Sequence, residues 1–137
     1  MRYIPPLSSL TRDLVFSSEQ GTPWVRMRYE DFENLLRQVL QAVEIDEDWY
    51  RRTYPDVEQA IRAGTLHSAH EHFVSSGYFE GRLPQAVEVD EEWYFNAYPD
   101  IAEAVRLGAV ASARQHFIEF GYAEGRRPGP GCVISGA

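Results

Sequence analysis

The stretch HSAHEH sets His67, His70 and His72 within six positions, a density of imidazoles that could supply nitrogen ligands to a zinc ion. The same passage recurs 44 residues later as ASARQH, with Ala111, Arg114 and His116 in their places. Only the His72/His116 pair survives that comparison, and one ligand per copy does not hold a metal. No metal and no cofactor is expected. The surviving histidine reads as a partly buried imidazole tying its helix to a neighbour, with Asp56 or Asp100 as its partner. A His–Asp pair is also the heart of many general bases. A nucleophile is missing beside it, because Ser75 and Ser76 become Glu119 and Phe120. Catalysis is not expected.

The acidic runs EIDEDW and EVDEEW could be taken for calcium ligands. A calcium loop needs oxygens at alternating positions, a central glycine and a distal glutamate, whereas each run here leads straight into an aromatic pair. Helix capping explains them better. Glu80 and Arg82, repeated as Glu124 and Arg126, read as charges that fix a turn by bonding backbone or each other. The glycines stand singly, so no phosphate-cradling loop is present. Aromatics hold the remaining chemistry: Trp49, Tyr50, Tyr54 and Tyr78 recur as Trp93, Tyr94, Tyr98 and Tyr122. Such rings can stack on sugars while carboxylates take the hydroxyls. They are also what short helices need to bury enough area, at about 25 cal/mol per Å² of apolar surface.

The elements that carry these residues are written twice. Residues 43–86 align with residues 87–130 without a gap, and 22 of the 44 positions are identical, which makes this a duplicated supersecondary unit. Each copy predicts three short helices. Asp46 (Asp90) caps the first, and Pro55 (Pro99) both ends it and opens the second. Val57, Ala60 and Ile61 give the second an apolar face, and Gly64 (Gly108) closes it. Ser68 with Glu71, and Ser112 with Gln115, form capping boxes for the third, whose inner face is Ala69, His72 and Phe73 and whose terminator is Gly77 (Gly121).

Residues 1–42 differ. Phe32, Leu35, Leu36, Val39, Leu40 and Val43 form an apolar stripe on a helix over 29–43. Upstream, DLVFSSEQGTPWVRMRY suggests a β-hairpin around a Gly-Thr-Pro turn. The fold class expected is mainly α: two tandem three-helix repeats behind an amphipathic helix and a short extended segment, with a flexible tail at 131–137. Two repeats leave two open ends, so the 29–43 helix is expected to cap the array or to pair with a second subunit, making a homo-oligomer.

Charge narrows the partners. All 13 basic residues are Arg. Residues 1–42 hold five acids and five arginines, while each copy holds eight acids and four arginines, so the net charge of −8 belongs to the repeats. A nucleic-acid binder needs a basic stripe, and an anionic membrane surface would repel this chain; neither is an expected partner. No run of about 20 apolar residues occurs. Pro5 and Pro6 stand where an export signal would have its apolar core, so the cytoplasm is expected. Cys132, a single cysteine, excludes an internal disulfide.

The repeated string WYxxxYPDVxxAIxxG…HFxxxGYxEGRxP resembles a module of bacterial surface-polysaccharide systems, found beside glycosyltransferase domains or in small standalone proteins. The matching residues are Trp49, Tyr50, Tyr54, Pro55, Asp56, His72, Phe73, Gly77, Glu80, Gly81 and Arg82. Their counterparts are Trp93, Tyr94, Tyr98, Pro99, Asp100, His116, Phe117, Gly121, Glu124, Gly125 and Arg126. No glycosyltransferase core accompanies them, so the resemblance implies an accessory role. The function expected is a non-catalytic protein-interaction scaffold, docking through Phe32, Leu36, Leu40, Trp49, Tyr50, Tyr54, Trp93, Tyr94 and Tyr98. The alternative is a carbohydrate-binding module with two equivalent aromatic and acidic sites.

Overall fold

A computed structural model describes residues 5–12 and 14–131. Cys132 and the rest of the tail lie outside the described residues. The fold is mainly α with one small antiparallel hairpin, as expected. The chain divides into two compact units that part between Glu44 and Ile45.

In the first unit a single helical turn, α1 (Leu7–Leu10), follows Pro5 and Pro6. Strands β1 (Val15–Glu19) and β2 (Thr22–Arg26) pair antiparallel, with Phe16 opposite Val25 and Ser17 opposite Trp24. The connecting turn is Gln20–Gly21 rather than Gly-Thr-Pro. Both residues have positive φ, 50° and 80°, the two-residue turn whose twist matches that of the strands. Thr22 and Pro23 therefore lie inside β2, where proline is tolerated because both strands are edges. Every residue of both strands is exposed.

Helix α2 (Tyr29–Leu40) has Glu30 and Asp31 in its first turn, at the positive end of the helix dipole. It stops three residues short of the expected Val43. Ala42 and Val43 donate to the carbonyls of Val39 and Leu40 at 3.1 and 3.0 Å, winding the end into tighter turns. Of the apolar stripe only Leu40 is buried; Phe32 and Val39 are 41% and 40% exposed.

The second unit holds both copies. In the first, α3 (Glu47–Thr53) is capped by Asp46, whose carboxylate accepts from the Trp49 amide at 2.9 Å. Tyr54 leaves the helical region, and Pro55 begins α4 (Pro55–Arg62). Helix α5 (Ala69–His72) is capped by Ser68, which accepts from the Glu71 amide at 3.0 Å. The second copy repeats this as α6 (Glu91–Ala97), α7 (Pro99–Arg106) and α8 (Ala113–His116), with Asp90 and Ser112 as caps. Each copy buries its own core: Tyr50, Val57, Ala69, Phe73 and Val74 in one, and Tyr94, Ile101, Ala113 and Phe117 in the other. Each also closes on itself, since the amide of Asp46 donates to Pro84 O at 3.1 Å and that of Asp90 to Pro128 O at 2.9 Å.

Two expectations for the third helix change. The capping boxes are half-formed: Glu71 reaches the amide and ring Nδ1 of His67 at 2.7 and 3.0 Å, and Gln115 donates to Glu119. The amides opening α5 are met by Glu47 of α3, which accepts from Ala69 and His70 at 2.8 and 3.1 Å. Gly77 and Gly121 do not terminate the helix. They end π-helical turns, Phe73–Gly77 and Phe117–Gly121, in which the amides of Tyr78 and Tyr122 donate five residues back. The left-handed terminator comes four residues later, at Gly81 (φ 77°) and Gly125 (φ 76°). Among the described residues no helix is long and apolar enough to cross a membrane.

Candidate functional site

The side chains that the copies share are occupied in holding each copy together. The Tyr50 hydroxyl shares a 2.9 Å hydrogen bond with His72 Nδ1, and the Tyr94 hydroxyl does the same with His116 Nδ1. The partner of each histidine is thus a tyrosine, not Asp56 or Asp100. Burial lowers the His72 pKa, helped by the Arg82 charge, so its ring is neutral near pH 7. Burial also raises both phenols, that of Tyr94 to about 12. Gly77 completes the arrangement: a methyl group on it would stand 2.2 Å from the Tyr50 hydroxyl and 3.1 Å from His72 Nδ1.

Asp56 goes instead to Arg82. The guanidinium donates to both oxygens of Asp56, at 2.9 and 2.7 Å, and through Nε to Glu80 at 2.8 Å. It lies over the Tyr54 ring, 4.9 Å from the centroid, while the Tyr54 hydroxyl accepts from the Leu83 amide at 3.0 Å. These bonds hold the Asp56 carboxyl at about 2, below the usual carboxylate range. Arg126 repeats the pattern with Asp100, Glu124 and Tyr98, and the Tyr98 hydroxyl accepts from the Arg127 amide. Each copy thus has two staples, Asp56–Arg82–Glu80 and Tyr50–His72 in the first and Asp100–Arg126–Glu124 and Tyr94–His116 in the second.

This removes part of the surface read from the sequence. Tyr50 and Tyr94 are fully buried, Trp49 is nearly so, and Leu40 is buried. The hydroxyls of Tyr54 and Tyr98 turn to backbone amides. Trp93 is covered by the Arg127 guanidinium, 5.3 Å from its centroid. Two equivalent open patches of rings are therefore not formed. Phe32 stays exposed and Leu36 half-buried.

What the second unit does offer is a cleft of about 680 Å³ between the copies. On one side stand Trp49, Arg52, Tyr54 and Asp56 with the Glu80–Arg82 turn; on the other, Arg114, Gln115, Ile118, Glu119 and Phe120 from α8 and its π turn. The copies touch at Gly81, where a methyl group would come 2.6 Å from Cβ of Ala123. The Phe120 ring is 54% exposed. Several cleft residues differ between the copies: Arg52 against Asn96, His70 against Arg114, Ser75 against Glu119, and Ser76 against Phe120. The positions that the duplication keeps include those of the staples. The signal for the cleft was the set of non-conservative differences, which fall together only once the copies stack.

No protein-family model, no curated protein and no solved structure matches this chain.

Proposed function

We propose that the chain is a non-catalytic binding protein, a helical-repeat scaffold whose first 44 residues engage another protein. One observation carries this reading: the distribution of uncovered apolar side chains. Leu7, Val15, Phe16, Trp24, Val25, Tyr29, Phe32 and Val39 are 40–74% exposed and all precede Ile45. The two copies, twice as long, leave only Tyr78, Leu107 and Phe120 comparably open among the described residues. Apolar exposure this concentrated in a short segment marks an interaction surface. The hairpin adds two free strand edges of the kind that pair with an incoming strand. Residues 1–42 are electrically neutral, so docking there is not opposed by the −8 of the repeats. The setting we assign is accessory: a subunit of a bacterial glycan system, as the repeat's resemblance implies.

The test is size-exclusion chromatography with light scattering, plus affinity capture from the cells that make the protein, on the natural chain and on a Trp24→Glu, Phe32→Asp variant. A partner, or a second copy of the chain, held by the first and lost by the second supports the proposal. A natural chain that stays monomeric and retains nothing rejects it.

A further inference from the structure

Eight arginines lie in the two copies, beside 16 acids. Most have found a partner. Arg51 and Arg62 pair with Glu58, Arg82 with Asp56 and Glu80, Arg106 with Glu103, and Arg126 with Asp100 and Glu124, while Arg127 stacks on Trp93. Of the eight, Arg52 and Arg114 are the two with neither an ion pair nor a ring contact among the described residues, and both border the cleft. They come from different copies, at positions that the duplication does not keep, and only the stacking brings them to one place. In a unit with two acids for every arginine, a pair of free guanidiniums facing one cavity calls for an anion from outside.

The rest of the lining says what kind. Asp56 and Glu80 are bound to Arg82 yet remain exposed, with side chains 62% and 46% accessible, so their spare lone pairs can accept from hydroxyls. Phe120 presents an open ring. A phosphate dianion would concentrate its charge beside Asp56, Glu80 and Glu119, and an acidic peptide offers neither the hydroxyls that Asp56 and Glu80 can accept from nor a flat face for Phe120. A ligand with many hydroxyls, a flat apolar face and a single carboxylate on each ring meets all three parts of the lining. We propose that the cleft between the copies is a binding site for a carboxylated saccharide, a hexuronic-acid unit whose carboxylate is held by Arg52 and Arg114. Its ring lies on Phe120 and its hydroxyls donate to Asp56 and Glu80. The site is lined by residues of the second unit alone, and the proposal does not rest on the docking role of the first.

Trp49 lines the cleft and reports on it. The full chain carrying Trp24→Phe and Trp93→Phe, with Trp49 as its one indole, is titrated with trigalacturonate, maltotriose, inorganic phosphate and triglutamate. Calorimetry on the unaltered chain gives the stoichiometry. The expected result is one trigalacturonate per chain with a change in Trp49 emission, and binding of the other three weaker by about tenfold or more. Arg52→Ala and Arg114→Ala, both at exposed positions, each weaken trigalacturonate by about tenfold with unchanged far-UV circular dichroism. Absence of saturable trigalacturonate binding overturns the proposal. So does equal binding of maltotriose, tighter binding of phosphate or triglutamate, or indifference to both arginine substitutions.

Discussion

The Tyr–His–Gly contact inside each copy leaves no room for one more carbon. Because a Cβ at Gly77 would fall 2.2 Å from the Tyr50 hydroxyl, Gly77→Ala must push α3 and α5 apart or break the bond to His72. It is expected to cost about 2 kcal/mol in denaturant unfolding. Tyr50→Phe removes the oxygen that the methyl group strikes, so in the double variant the two costs sum to less than their separate values; strict additivity would show that the contact is not where the strain arises. The same contact sets a pH dependence. The folded pKa of His72 lies below its ordinary value near 6.5, so between the two the unfolded chain holds a proton that the folded chain does not. Stability is then complete above about pH 6.5 and declines as the pH falls below it. Melting temperature should drop on going from pH 7.5 to 5.5, and His72→Asn should flatten that slope; an equal slope in the variant refutes the assignment. The sequence showed that His72 recurs and is partly buried. It could not show the tyrosine partner, because Tyr50 and His72 are 22 residues apart and meet only through packing.

Among the elements, what was local was legible. Asp46, Gly64 and Ser68 act on amides within a few residues and Pro55 through its fixed φ, and each does what its type and position implied. The π turns were not legible, since a helix widens there to seat a glycine against a tyrosine on another helix. The hairpin turn was read one position late because Gly21-Thr22-Pro23 carries stronger turn residues than Gln20. The joint between the copies belongs to this scale and can be tested by comparison. Gly81 and Gly125 have the same left-handed φ, but a methyl group at Gly125 meets nothing within 4 Å whereas one at Gly81 meets Ala123. Gly125→Ala should cost about 1 kcal/mol, the penalty for a side chain in that conformation. Gly81→Ala should cost about 1–2 kcal/mol more, the added charge of overpacking the joint. Equal losses in thermal or denaturant unfolding would mean that the copies do not press together at Gly81.

At the scale of the molecule, the sequence divided the charge correctly between a neutral beginning and an acidic duplicated part, because charge needs no geometry to count. The cleft escaped it for the opposite reason: Arg52 and Arg114 are 62 positions apart and belong to different copies. The distribution of burial makes one more claim. Every staple closes within a copy, and among the described residues every buried core residue but Leu40 lies beyond Glu44. Two copies together form a chain of ordinary small-domain size, whereas a 44-residue segment with an exposed hairpin falls near the lower bound for independent folding. A polypeptide of residues 45–137 should therefore keep its helical circular dichroism and melt cooperatively, within about 5 °C of the full chain. Residues 1–44 alone should show no cooperative transition. If the longer fragment instead unfolds well below the intact protein, the first unit contributes to the stability of the repeats, and its apolar residues are needed at home rather than free for a partner.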